Sequence, residues 1–316
     1  MAKPGYIGIE IGGTKLQAAA GGGDGRIRER FRAVVDRARG AAGIREAIAE
    51  AWARLSSAVP VAAVGVGFGG PIDWETGAIA MSYHVEGWHG FDLCGWLREL
   101  TGRPVAADND ANVAALGEAL CGAGRDRRLV FFTTLGSGMG GGMVVDGRIY
   151  HGAKPGEAEV GQMPFDKSGA TCESRCCGWA ADARVRAHVR AHPGSILARL
   201  VGAETRGEAR FLGPALRAGC PGARAILDEQ ADDIAFALSH AAHLFHPEAI
   251  ILGGGLSLLG EPLRAAVASR LPGYMTEALK PGPEIRLPAL GEESVVVGAL
   301  VMAAHSMGRD ARPGKD

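Results

Sequence analysis

The sequence has no excess of either charge and no long apolar run, and each absence closes off a class of function. Lysine plus arginine number 34 against 35 for aspartate plus glutamate, a net charge of −1, so there is no broad electrostatic footprint for nucleic acid or an anionic membrane. No stretch approaches the roughly 18 apolar residues of a spanning helix. The opening MAKPGYIGIE runs into a strand without the charged-then-apolar order of a leader, and a cytoplasmic protein is expected. Six cysteines in 316 residues, most without regular spacing, do not make a disulfide framework, and no low-complexity linker divides the chain.

Two familiar nucleotide motifs are also missing. Gly136-x-Gly138-x-x-Gly141 has the spelling of the dinucleotide fingerprint, but GMVVDGRIYHG follows it, a β-rich run with an Asp146-Gly147 hairpin signal where that fingerprint needs a helix. The first glycine turn reads Gly13-Thr14-Lys15 where a P-loop needs Gly-Lys-Ser/Thr.

What the chain has is glycine, 49 residues of it, concentrated at three turns each entered from a short apolar run. They are GIEIGGTK (8–15), TLGSGMGGG (134–142) and ILGGGLS (251–257). Glycine lets consecutive N–H groups gather on one side of a turn and lets phosphate or adenosine approach the backbone closely. One such turn would be an ordinary hairpin; three in this order describe a phosphoryl-transfer site.

Length and a 47% apolar content fit two domains with two buried cores. The pattern reads as a strand over 6–20, a Gly21–Gly25 turn, a strand over 26–35, a helix over 43–57 and a buried strand over 61–68. Helices follow over 91–101 and 112–121, with a short strand at 104–107, so that Asp110 stands at a strand-to-helix junction. An irregular stretch over 152–178 precedes a helical region over 180–245, a strand at 249–252 and a last helix over 295–307. The expected domains are an α/β lobe over 1–118 completed by the 295–307 helix, a second α/β lobe over 119–294, and a disordered tail over 308–316.

These residues resemble the ROK family, sugar kinases with an actin-like (ribonuclease H-like) α/β fold of two lobes. The match covers 6–302. GIEIGGTK is similar to the family's first phosphate motif, Asn109-Asp110-Ala111-Asn112 to its sugar and base motif, TLGSGMGGG to its second phosphate motif and ILGGGLS to its adenosine motif. GAKPGEAEVGQ resembles the segment that usually ends Glu-x-Gly-His.

The resemblance implies phosphorylation of a hexose or hexose derivative by ATP, at the 6-hydroxyl of a pyranose. A sugar hydroxyl is a poor nucleophile at neutral pH, and Asp110 is the candidate general base. Capping is the ordinary role of an aspartate at a helix start, but its neighbour Asn109 and the family match favour the base. Gly12, Gly13, Thr14, Lys15, Thr134, Gly136, Ser137 and Gly138 are expected to hold the triphosphate, Gly254 and Gly255 the adenosine, with Mg²⁺ bridging phosphate oxygens. Glu10 stands where many relatives have Asp and is the expected magnesium contact. Asn109, Asp110, Glu159 and Glu173 are the expected hydroxyl partners, since each carboxylate can accept two or more hydroxyl protons.

Departures cluster at the sugar site. Many relatives carry a zinc motif resembling Cys-x-Cys-Gly-x-x-Gly-Cys-x-Glu; the stretch here is DKSGATCESRCCGWA, and Cys172, Cys176 and Cys177 do not rebuild it. No zinc site is expected, and these thiols are read as local or buried, with metal binding or oxidation as the alternatives. Gln162 replaces the usual His, and His84 stands near an Asn of relatives that touches the sugar. Both are assigned to the sugar site, and a best substrate other than glucose is expected from them.

The family's repressors carry a DNA-binding domain ahead of the first phosphate motif; only seven residues precede Gly8, so repression is not expected. A non-catalytic sugar-binding or regulatory protein and a polyphosphate-using kinase remain as alternatives. The resemblance further implies a homo-oligomer, dimer or tetramer, with a small sugar as substrate.

Overall fold

The computed structural model describes residues 4–82, 85–154 and 158–309. β1 (Gly5–Ile11) and β2 (Lys15–Gly21) form an antiparallel hairpin, and β3 (Ile27–Val34) pairs antiparallel with β2. The single strand expected over 6–20 is therefore two. Gly12 and Gly13 break the apolar run, and the chain reverses at the first glycine turn, where the Gly12 N–H donates to the Lys15 carbonyl (3.1 Å).

Next comes α1 (Gly40–Leu55), which buries Ala41, Ile44, Ile48, Ala51 and Leu55 as one stripe at helical spacing. β4 (Val61–Phe68) leads to α2 (Leu93–Thr101), started by an Asp92 cap and stopped by left-handed Gly102. β5 (Val105–Asn109) runs directly into α3 (Asp110–Cys121). The first sheet has the order β3-β2-β1-β4-β5, with β4 parallel to both β1 and β5.

β6 (Leu129–Leu135) and β7 (Met139–Val145) flank the second glycine turn, and β8 (Arg148–Ile149) returns after Asp146 and Gly147, both at positive φ. A strand and not a helix thus follows that turn, which excludes the dinucleotide fold. Helices α4 (Cys172–Cys176), α5 (Gly178–Ala191), α6 (Ile196–Val201), α7 (Leu212–Arg217) and α8 (Pro221–Phe245) occupy the middle of the chain. β9 (Ala249–Gly253) feeds the third glycine turn, followed by α9 (Glu261–Arg270), β10 (Glu284–Arg286) and α10 (Ser294–Arg309). The second sheet has the order β10-β9-β6-β7-β8, with β9 parallel to β6 and β10. The last helix runs two residues past its expected end, and 310–316 lie outside the described residues.

By packing, the chain divides into two units. One comprises Met1–Arg128, Gly142–Glu157 and Ala289–Asp316; the other Leu129–Gly141 and Ala158–Pro288. In the first unit α10 returns from the end of the chain to lie against β1, β4 and α3. The approach is close enough that a Cβ on Gly298 would sit 1.8 Å from the Val113 carbonyl, and one on Gly117 2.4 Å from that of Ser294. The far end of α3 is locked by Glu118, fully buried, which accepts from the Ala123, Ala289 and Leu290 amides and the Ser294 hydroxyl (2.8–3.0 Å). A buried carboxylate with four donors is satisfied, and it fixes the helix that carries Asp110.

Candidate active site

In the first unit the site is built on the β5–α3 junction. Asn109, not Asp110, caps α3: its Oδ1 accepts from the Ala111 and Asn112 amides (2.8 and 3.4 Å), and its Nδ2 donates to the Gly70 carbonyl (3.3 Å). Both ends of the Asn109 amide are thereby engaged, while the Asp110 carboxylate meets the backbone N–H groups of Asp110 and Ala111. It stands beside the first glycine turn. A Cβ on Gly69 would lie 3.3 Å from Asp110 Oδ2 and 3.2 Å from the Ile11 carbonyl, and the Gly69 N–H donates to that carbonyl (2.9 Å). Loss of water, then the negative charge of Glu10, pushes the Asp110 carboxyl up to about 7.

Glu10 is buried on β1, with Gln17 Nε2 donating to Oε2 (2.8 Å) and Lys15 Nζ 3.4 Å from Oε1. Burial raises its carboxyl more than Lys15 and Gln17 lower it. Gly12, Gly13, Thr14 and Lys15 form the turn between the two strands, Thr14 exposed and Lys15 partly so. Two carboxylates and one ammonium thus share this end of the unit.

Sequence reasoning missed Asp108. Buried two residues before the candidate base, it accepts from the Asn109 amide (2.8 Å), Asn112 Nδ2 (3.0 Å) and the His151 ring (Nε2 at 2.6 Å). Trp74 stacks on that ring with centroids 4.1 Å apart. The signal available was an aspartate at the end of a buried strand; its partner lies 43 residues away.

In the second unit the second and third glycine turns touch. Gly254 has φ +76°, and a Cβ there would fall 2.5 Å from the Leu135 N and 2.7 Å from the Gly136 N. Gly255 is exposed beside it, and Ser257 closes the third turn by donating Oγ to the Gly254 carbonyl (2.7 Å). The second turn is closed by Gly136 N–H to the Gly138 carbonyl (3.0 Å), and Gly178 N–H donates to the Gly136 carbonyl (2.7 Å). Thr134 is half-buried and Ser137 exposed. Small residues thus bring two backbone turns together at one place, where a ligand could approach the main chain closely.

Glu173 joins this cluster from α4: its Oε2 accepts the Met139 N–H (2.9 Å) and occupies the space above Gly138, where a Cβ would lie 2.5 Å away. Glu159 is its electrostatic neighbour, its carboxyl raised by the surrounding protein and by the Glu173 charge. Gln162 is exposed on the short turn that Glu159 begins, its amide N–H bonded to the Glu159 carbonyl (3.1 Å). His84 lies outside the described residues.

Cys172, Cys176 and Cys177 are buried free thiols, all raised by burial, the environment of inert rather than reactive cysteine. Among the described residues no three His, Cys, Asp or Glu side chains gather to hold a metal ion, and no helix is long and apolar enough to cross a membrane.

The chain is similar to known proteins over most of its length. The model of the ROK family matches residues 6–306. The glucokinase of Thermotoga maritima is 30% identical, the alignment covering 98% of this chain and 100% of that protein. The glucokinase of Halalkalibacterium halodurans is 32% identical with 93% of each covered. Among solved structures, a ROK family glucokinase from Streptomyces griseus in complex with glucose and AMPPNP superposes with a TM-score of 0.84 at 29% identity, covering 95% of this chain and 99% of that one.

Proposed function

Because this chain belongs to the ROK family, we propose that it transfers the terminal phosphoryl group of ATP to a hexose, with Asp110 as general base toward the 6-hydroxyl. The observation that carries the reading is the state of Asp110: Asn109 does the capping, and water loss beside Glu10 brings its carboxyl to about 7. A base poised near neutrality takes a hydroxyl proton and is ready again after each turnover.

The hydroxyl proton passes to the Asp110 carboxylate as the sugar oxygen bonds the γ-phosphorus and the bond from that phosphorus to the β–γ bridging oxygen breaks, releasing ADP. Otherwise the reaction rests on position and charge. Gly13, Thr14, Lys15, Thr134, Ser137 and Gly138 receive phosphate oxygens, the third turn receives the adenosine, and Glu159 and Glu173 accept sugar hydroxyls. Glu10, a buried carboxylate at the first glycine turn, would hold a divalent cation travelling with the triphosphate. Mg²⁺ would neutralise phosphate oxygens there.

The relatives named glucokinase support glucose as an acceptor, while Gln162 changes the hydrogen-bonding pattern where relatives have His. ADP release from purified protein with ATP, Mg²⁺ and a panel of hexoses, amino sugars and deoxy sugars tests both. Turnover that needs sugar and is lost in Asp110→Asn supports the kinase and its base. A folded protein that releases no ADP with any sugar, from ATP, would refute it.

A further inference from the structure

α4, Cys172–Cys176, is a single helical turn and carries one functional side chain, Glu173. A helix this short has no stability of its own, so what surrounds it decides where that carboxylate points. Its N-terminus is held by a capping box between Thr171 and Ser174 and by the Cys172 N–H bonded to the Met163 carbonyl (2.9 Å). Its last carbonyls need donors too.

Those donors come from two other helices. Arg184 of α5 donates Nη1 to the Arg175 carbonyl (2.8 Å), and Gln230 of α8 donates Nε2 to the carbonyls of Cys176 (2.8 Å) and Arg175 (3.3 Å). Arg184 has little freedom: Nε bonds Glu229 Oε1 (2.9 Å), Nη2 pairs with Asp233 and Nη1 also meets Gln230 Oε1, with its side chain 12% exposed. Gln230 is buried. A guanidinium at a helix C-terminus also complements the partial negative charge there. On the other side of the same turn, Glu173 reaches the Met139 N–H over Gly138.

On the reading of Glu173 as a sugar ligand, we propose that Arg184 and Gln230 are positioning residues for sugar binding. They grip the C-terminal carbonyls of α4 and so set the Glu173 carboxylate between the second glycine turn and the sugar. A guanidinium and an amide do this work. Displacing a binding group by about an ångström costs affinity or rate, so the clamp is felt in sugar kinetics before it is felt in nucleotide kinetics.

The test uses the full chain. Steady-state kinetics with sugar and ATP varied separately, and hydrogen exchange at the Met139 amide, are measured for Arg184→Met, Arg184→Lys, Gln230→Leu, Glu229→Ala and Glu173→Gln, each confirmed folded by circular dichroism. Arg184→Met is expected to raise the sugar KM about tenfold with the ATP KM changed less than about twofold, and to speed exchange at Met139. Arg184→Lys, with one charge but no fork, falls between, and Glu229→Ala, which loosens Arg184 but spares all three carbonyl bonds, gives a smaller change than Arg184→Met. A folded Arg184→Met with parental sugar KM and parental Met139 exchange overturns the clamp, as does an equal rise in both KM values. If Arg184→Met does not fold, Gln230→Leu decides by the same two readings. An unchanged sugar KM in Glu173→Gln overturns the sugar role of Glu173 instead, and exchange at Met139 then judges the clamp alone.

Discussion

Each unit holds a pair of acidic side chains that repel one another, and the two pairs are set differently. In the first unit Glu10 and Asp110 stand where protein has replaced water, and Asp110 rises to about 7. In the second, Glu159 rises for the same two reasons, burial and a like charge. Its partner Glu173, however, spends an oxygen on the Met139 amide. The difference separates two uses of one functional group. A carboxyl brought near neutrality can accept a proton and release it; a carboxylate with one oxygen held by the Met139 N–H has a fixed direction in which to accept hydroxyls. Asp108 makes the same point inside the first unit, for three donors surround it two residues from Asp110.

The sharpest way to break the comparison is Asp110→Asn. It should lower kcat by about 10²–10⁴ with circular dichroism unchanged, and a loss of less than about tenfold would move the base elsewhere. The same variant should be more stable than its parent at pH 8. A carboxyl whose folded-state pKa is about 7, above an ordinary value of 3.8, favours the folded state when protonated and withdraws that stability as pH rises from about 4 through 7. Thermal melts should therefore separate the two proteins at pH 8 and converge near pH 4.

Gly254→Ala comes next. The new methyl group would meet the Leu135 and Gly136 backbone at a positive φ, forcing the two nucleotide turns apart. An ATP KM raised by about tenfold or more, with a sugar KM little changed, is expected from initial rates.

A smaller effect belongs to Glu10. With Asp110 as base, kcat should fall on the acid side of about pH 7, and Glu10→Gln removes a charge that raises Asp110. The acid limb of the kcat–pH profile should then move to lower pH. A limb that stays put would assign the titration to another group. The smallest effect is expected from zinc removal: a zinc-selective chelator, followed by assay in Mg²⁺, should leave activity within about twofold, because Thr171, Ser174, Arg184 and Gln230 hold the ends of α4.

Much of the fold was legible because its signals are local. The strand at 61–68 and the stripe Ile44, Ile48, Ala51 and Leu55 follow from apolar spacing, and the three glycine turns mark themselves. The hairpin inside 6–20 was lost because an apolar run reads continuous through Gly12-Gly13, and the partner of each strand is not written in it. In the site, Asp110 and Glu173 were legible as acidic side chains beside motif residues. Asp108–His151 and Arg184–α4 were not, since each joins residues remote in sequence with no motif to mark them.

The sequence alone determined the chemistry available: glycine where backbone donors must face a ligand, carboxylates at element ends, and no ordered set of zinc-binding cysteines. Tertiary structure decided what each group became. Asn109 rather than Asp110 took the helix cap, and Arg184 of α5 met the end of α4. Hydrogen-bond partners and local dielectric depend on which distant segments pack together, so a carboxyl's role is settled only when folding has chosen its neighbours.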